Sequence, residues 1–316
     1  MDEFEIISRY FVEPIGYSRE HVLVGPGDDC AVAKVPDGFE LCVSTDTLIE
    51  DVHFPKDAAG DVVVSRALGA NLSDLAAMGA EPYGFTLALT LPSYSDSWLS
   101  SFSTRLNELV KHYKLPLLGG NLARGQLSVT INIMGLVPHG QALLRSGAGS
   151  GDDIYVTGHL GNAAGGLAIV KGEVDADCTE LVESYFSPVP RILLGQQLRN
   201  VASAVIDISD GFAADLGHLC KASGCGARVS LESIPVSEAL KDLFGSEIAQ
   251  SMAVKGGDDY ELCFTVPTRN ADVIAQLIRD QEVLVSHVGK IRPELDVEII
   301  DAKGVRISGQ SGYVHF

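Results

Sequence analysis

Five short acidic motifs stand out in the chain: Gly27-Asp28-Asp29, Ser44-Thr45-Asp46-Thr47, Asn71-Leu72-Ser73-Asp74, Asp207-Ile208-Ser209-Asp210-Gly211 and Gly256-Gly257-Asp258-Asp259-Tyr260-Glu261. Each is set among glycine, serine, threonine or alanine. Carboxylates with small neighbours offer the oxygen ligands that hard divalent cations take, and Mg²⁺ is typically held by one or two carboxylates together with substrate phosphates. If the motifs converge, the fold builds one multi-metal site. If they do not, they are turns and helix caps.

Taken singly, most of the motifs have a local explanation. Asp28-Asp29 after Gly27 reads as a turn, and Thr45-Asp46 at a strand end reads as an Asx-type turn. Asp74 is different: Leu72, Leu75 and Ala76 flank it in an Ala-rich helix, where an acid is costly unless paired or metal-bound. Ser209 or Asp210 suits the cap of a helix beginning at Gly211, whereas Asp207 falls inside an apolar strand that disfavours it. Arg145 follows Ala142-Leu143-Leu144. It is suited to bidentate phosphate contact, or else is a surface arginine near a hinge. His53, in Asp51-Val52-His53-Phe54, reads as either a structural or a functional histidine.

The elements that must position these residues alternate between strand and helix. The spacing predicts a helix over 2–12, a strand over 40–45 that delivers Asp46 at its end, and a helix over 61–78 closed by Gly79. A strand over 84–91, an amphipathic helix over 97–113 and a strand over 127–137 follow. Residues 138–153 carry turn signals and the run Ser146-Gly147-Ala148-Gly149-Ser150-Gly151, which places a domain boundary there. The second half reads as strands over 154–157, 205–208, 261–266 and 297–300, with helices over 211–222 and 270–280. The class is α/β or α+β, in two domains, 1–138 and 150–316.

Several alternatives are excluded. The turn Gly158–Gly166 lacks G-x-G-x-x-G spacing and a later acidic partner, so it reads as a tight turn with close helix packing and not as a dinucleotide site. No P-loop and no protein-kinase set is present. With 42 acidic against 23 basic residues the net charge is −19, which argues against a nucleic-acid or anionic-membrane surface. The six cysteines form no C-x-x-C pair. Cys220 and Cys225 read as a metal or redox pair, or as small buried residues. The N-terminus is acidic at once, unlike a signal peptide, and no apolar run reaches a membrane span, so a cytoplasmic protein is expected.

In their order along the chain, these motifs resemble the thiamine-monophosphate kinase family, of the PurM-like superfamily. The strings are Gly-Asp-Asp, Ser-Thr-Asp-Thr, His53-Phe54, Asn71–Gly79, Gly119-Gly120-Asn121, Leu144–Ala148, Asp207–Gly211 and Gly256–Phe264, and the likeness runs from Phe4 to Gly312–Phe316. The resemblance implies an N-terminal α/β domain that dimerises through its sheet, a C-terminal α/β domain, and transfer of the ATP γ-phosphoryl group to thiamine monophosphate with several Mg²⁺ ions. It implies metal ligands at Asp29, Ser44, Thr45, Asp46, Asp74, Asp207 and Asp210. Nucleotide contacts are implied at Gly120, Asn121, Arg145 and Ser209, and substrate contacts at His53 and Asp258. No covalent nucleophile or general base is assigned. Asn121 stands where relatives often carry Asp, Asp258 where many carry Glu, and Gln310 where an aromatic stacks on thiamine, with Tyr313 nearby. The alternatives are another PurM-like ATP-using enzyme and a non-catalytic nucleotide-binding module.

Overall fold

The computed structural model describes residues 3–15, 18–280 and 283–307. Gln310, Tyr313 and the closing Gly312–Phe316 string lie outside them. The chain divides into two units, residues 1–75 with 80–140, and 76–79 with 141–316.

The N-terminal unit opens with α1 (Glu3–Ile7), which continues into a π-helical turn (Ser8–Val12), and a small ladder of β1 (Val22–Val24) and β2 (Val32–Ala33). Then follow β3 (Phe39–Ile49), α2 (Gly60–Ala77), β4 (Glu81–Leu91), α3 (Asp96–Tyr113), β5 (Leu117–Arg124) and β6 (Ser128–Pro138). The sheet order is β3-β6-β4-β5, with only the β4/β5 pair parallel. Strand alternation separates two faces. Ile131, Ile133, Val129, Phe85, Leu87 and Leu89 are buried on one. The other carries Thr45, Thr47, Thr130, Asn132 and Ala88, and continues along β3 as exposed Phe39, Leu41 and Val43.

α2 is buried almost all round, which is why Ala, Leu and Val crowd its sequence. Glycines permit its close approaches. A Cβ on Gly135 of β6 would meet Leu75 at 2.9 Å, and one on Gly60 would meet the Phe102 nitrogen of α3 at 2.8 Å. α3 has the predicted amphipathic stripe, with Leu99, Phe102, Leu106 and Val110 buried, and Ser95 caps it.

The C-terminal unit contains β7 (Asp153–Thr157), α4 (Asn162–Val170), α5 (Thr179–Phe186), α6 (Ile192–Leu198), β8 (Ala204–Ile208) and α7 (Phe212–Ser223). It continues with β9 (Gly226–Ser230), α8 (Glu238–Phe244), α9 (Ser246–Lys255), β10 (Glu261–Val266), α10 (Ala271–Arg279), β11 (Val285–Arg292) and β12 (Val297–Ile300). Six strands run in the order β12-β9-β11-β7-β10-β8, antiparallel except for β12/β9. Ile154, Val156, Ile206, Ile208, Phe212, Leu216, Ala227 and Val229 belong to its core. The glycine-rich turn behaves as read: a Cβ on Gly166 of α4 would lie 2.0 Å from the Leu181 oxygen of α5. Cys225 follows α7, donating its N–H to the Cys220 carbonyl at 3.0 Å in a helix-ending turn. Burial pushes the Cys220 thiol up to about 12, so the pair is packing material and not a thiolate site.

One expectation is corrected. β3 does not stop at Thr45 to deliver Asp46 at its end; it runs to Ile49, and Asp46 is an interior strand residue paired with Ile131. β-branched Val43, Thr45, Thr47 and Ile49 sustain the strand through the acid.

Candidate active site

In the N-terminal unit, strand alternation turns Ser44 and Asp46 of β3 toward α2, which brings Asn71 and Asp74 to meet them. Ser44 Oγ donates to Asp74 Oδ2 at 2.5 Å. Asn71, fully buried and three residues before Asp74, accepts the Asp46 N–H on Oδ1 at 3.2 Å and donates from Nδ2 to the Ala67 carbonyl at 2.9 Å. It thereby satisfies an N–H on an edge strand and fixes Asp46 beside the helix. The Asp46 carboxyl is pushed up to about 6, first by burial and then by the charge and hydrogen bond of Asp74. Two carboxylates in contact, with a hydroxyl as neighbour, form an all-oxygen donor set that suits Mg²⁺ in character.

The other N-terminal candidates lie elsewhere. Thr45 faces the opposite side of the sheet, where its Oγ1 accepts from Asn132 Nδ2 at 2.6 Å. Gly120 and Asn121 sit on β5, three strand spacings from β3, about 14 Å across the sheet. Gly120 must be glycine, because a Cβ there would lie 2.0 Å from the Leu87 oxygen. Asn121 is exposed, beside a largely apolar pocket lined by Ile7, Phe11, Leu87 and Leu117. Asp29 lies in an exposed loop, where its N–H caps Asp28 Oδ1 at 2.8 Å. His53 follows β3. Its Nδ1 accepts the Ile49 N–H at 3.1 Å, and its carbonyl accepts from Nε of the buried Arg66, also at 3.1 Å.

In the C-terminal unit, Asp207 is buried within β8 at the sheet edge, and Ser209 and Asp210 are half-buried in the turn into α7. Asp258 and Tyr260 run alongside: Asp258 N–H donates to the Ser209 carbonyl at 2.9 Å, and Tyr260 N–H to the Ile208 carbonyl at 2.8 Å. Asp258 and Tyr260 adopt left-handed backbone, φ 69° and 50°, and Tyr260 Oη donates to Asp258 Oδ1 at 3.2 Å. Arg145 has an exposed side chain, and its carbonyl accepts from Ser223 Oγ.

Three acids in this unit carry structure that the sequence reading did not assign. Asp215 Oδ2 accepts the N–H groups of Ser209, Asp210 and Gly211 at 3.0, 3.0 and 3.1 Å. Burial pushes its carboxyl up to about 6 while these donors pull it down. Asp259 caps α4, accepting from Gly161 N–H at 2.7 Å and Ala163 N–H at 3.3 Å. Glu261 holds Arg191 in a bidentate pair and accepts from Thr157 Oγ1 at 2.5 Å. The available signals were positional: Asn71 three residues before Asp74 on one helix face, and Asp215 four residues after the helix-opening Gly211.

Comparison with known proteins places this geometry in a class. The family model described as AIR synthase related protein, N-terminal domain, matches residues 27–137, and that described as AIR synthase related protein, C-terminal domain, matches residues 149–302. The fold is the two-domain, mixed α/β PurM-like fold. Within that class, the thiamine-monophosphate kinase of Salmonella typhimurium is 44% identical over 319 residues, covering 99% of this chain and 98% of its own. The crystal structure of the thiamine-monophosphate kinase from Stenotrophomonas maltophilia superposes with a TM-score of 0.87 at 38% identity, covering 95% of this chain and 96% of that one. The structure of AaThiL complexed with AMPPCP and TMP gives 0.79 at 27% identity, covering 92% and 91%. The chain belongs to the thiamine-monophosphate kinase family.

Proposed function

We propose that the chain transfers the γ-phosphoryl group of ATP to thiamine monophosphate, yielding thiamine diphosphate and ADP. Family membership across 99% of the chain carries this reading, and a relative bound to an ATP analogue and TMP supports it. The acceptor explains the character of the site. A phosphate monoester has a second pKa near ~6 and is largely a dianion at neutral pH, so it is already a nucleophile and requires no strong general base. The obstacle is repulsion between polyanions: at ~4 Å and an effective dielectric of ~20, each unit-charge pair costs about 4 kcal/mol.

Mg²⁺ bound there would neutralise that charge and align donor with acceptor. The contacting pair Asp46–Asp74 with Ser44 is the best-supported holder, and Asp29, Thr45, Asp207 and Asp210 complete the proposed ligand set. Thr45 is kept in that set although its hydroxyl lies on the opposite face of the sheet. Gly120, Asn121, Arg145 and Ser209 are proposed to contact ATP, and His53 and Asp258 thiamine monophosphate. The proposed domains are 1–138 and 150–316. The uncovered sheet face, with exposed Leu41 and Val43 on an edge strand, fits a homodimer. No helix among the described residues is long and apolar enough to cross a membrane, and a cytoplasmic location is proposed.

The test is chromatographic detection of thiamine diphosphate from ATP, Mg²⁺ and thiamine monophosphate. Product that depends on all three supports the reading; ATP binding without product replaces it with a nucleotide-binding module.

A further inference from the structure

The first turn of a helix normally presents unpaired N–H groups and the positive end of the helix dipole, a ready site for an external phosphate. At α7, a helix of 12 residues, that site is already taken. Three successive N–H groups, of Ser209, Asp210 and Gly211, converge on one oxygen of Asp215, whose residue is 3% exposed. The carbonyl side of the turn is committed as well: Ser209 O accepts the Asp258 N–H, and Gly257 packs so closely that a Cβ would lie 2.5 Å from that oxygen. Beyond these bonds the turn offers a ligand the Ser209 hydroxyl and the Asp210 carboxylate, and a carboxylate oxygen of Asp210 lies within 4.8 Å of ligand atoms of Asp215 and His218.

We propose that Asp215 is a positioning residue that fills the anion site of α7 with the chain's own carboxylate, so that the Ser209–Gly211 turn offers oxygen ligands to a cation and no N–H groups to a phosphate. A polyphosphate then engages this turn through a metal ion or the serine hydroxyl. The geometry also locks Ser209 and Asp210 to Asp258 through a shared backbone, so moving Asp215 shifts the proposed nucleotide, metal and substrate contacts together. The inference rests on the proposed use of ATP with Mg²⁺, and its test separates the two.

Asp215→Asn and Asp215→Ala are compared with the wild-type chain, with circular dichroism and thermal melting to establish folding. Asp215→Asn keeps an acceptor oxygen in place without the charge and guards against a collapsed alanine variant. In turnover, the Mg²⁺ concentration for half-maximal rate is expected to rise about tenfold in both variants, the usual effect of losing a group that orients metal ligands, with kcat largely regained at saturating Mg²⁺. In EDTA, calorimetric titration with inorganic phosphate is expected to show tighter binding to Asp215→Ala than to the wild-type chain, because three N–H groups are released. A folded Asp215→Asn variant with an unchanged Mg²⁺ midpoint, a loss confined to kcat, or no gain in phosphate binding by a folded alanine variant overturns the proposal. Absence of thiamine diphosphate from the wild-type chain overturns the function instead, and the phosphate titration, which needs no turnover, still judges Asp215.

Discussion

The two units treat buried acid in opposite ways. In the C-terminal unit, Asp215 is surrounded by three backbone N–H groups, Asp259 caps a helix, and Glu261 is clasped by Arg191. These three carboxylates are balanced by the protein itself. In the N-terminal unit, Asp46 and Asp74 face each other, with the Ser44 hydroxyl on Asp74 and Asn71 holding the Asp46 backbone. Chemically identical groups therefore do different work. A carboxylate held by backbone N–H groups or an arginine keeps shape, and two carboxyls in contact, which share a proton more readily than both ionise, form a site suited to a cation.

The largest effect should come from Asp46→Asn. Turnover is expected to fall on the order of 10³-fold with the fold intact, as for loss of a group that stabilises developing charge. Full activity at saturating Mg²⁺ would remove Asp46 from the metal site. The same variant should gain roughly 1–2 kcal/mol of stability in EDTA, since it relieves repulsion that solvent only partly screens; an unchanged or lowered melting temperature breaks the comparison on its N-terminal side.

Glu261→Ala should do the reverse, lowering stability by about 3–5 kcal/mol in urea unfolding, because the partly buried Arg191 loses its bidentate carboxylate and Thr157 loses its acceptor. A loss of activity without a loss of stability would show that Glu261 belongs with the functional acids.

The acid pair also has a pH signature. The Asp46 carboxyl in the folded chain is raised to about 6 from an ordinary value of 3.8. Its contribution to the stability of the metal-free chain is therefore fully present below the unfolded value and lost as pH rises through about 6. Mg²⁺ competes with that proton, so the thermal shift produced by Mg²⁺ should be larger at pH 7.5 than at pH 5, and Asp46→Asn should flatten the difference. The smallest effect belongs to Asn121→Asp, an exposed position, where one added charge is expected to lower the Mg²⁺ midpoint about two- to fivefold. A raised midpoint would place Asn121 away from any metal.

Much of the fold was legible because periodicity reports burial. β6 alternates cleanly, and α3 carries its stripe at helical spacing. What escaped prediction had its pattern diluted. β5 contains Gly119, Gly120 and Asn121, poor strand formers held by pairing with β4. β9 begins at a glycine, and β11 is interrupted by Gly289, His287 and Lys290. At the site, the acids were visible as motifs, but their partners were not. A sequence shows that Asp46 and Asp74 are acids; that they touch follows from the register of β3 against α2. Asp215 belongs to none of the five acidic motifs, and only the structure shows three donors gathered on it.

Asp258 keeps a left-handed backbone, φ 69°, at a position where glycine would sit without strain. A population of variants screened for heat resistance alone should drift toward glycine there, while one screened for growth without supplied thiamine diphosphate should hold the aspartate. The tension between those two outcomes would measure how much folding comfort the chain gives up to keep a carboxylate at that bend.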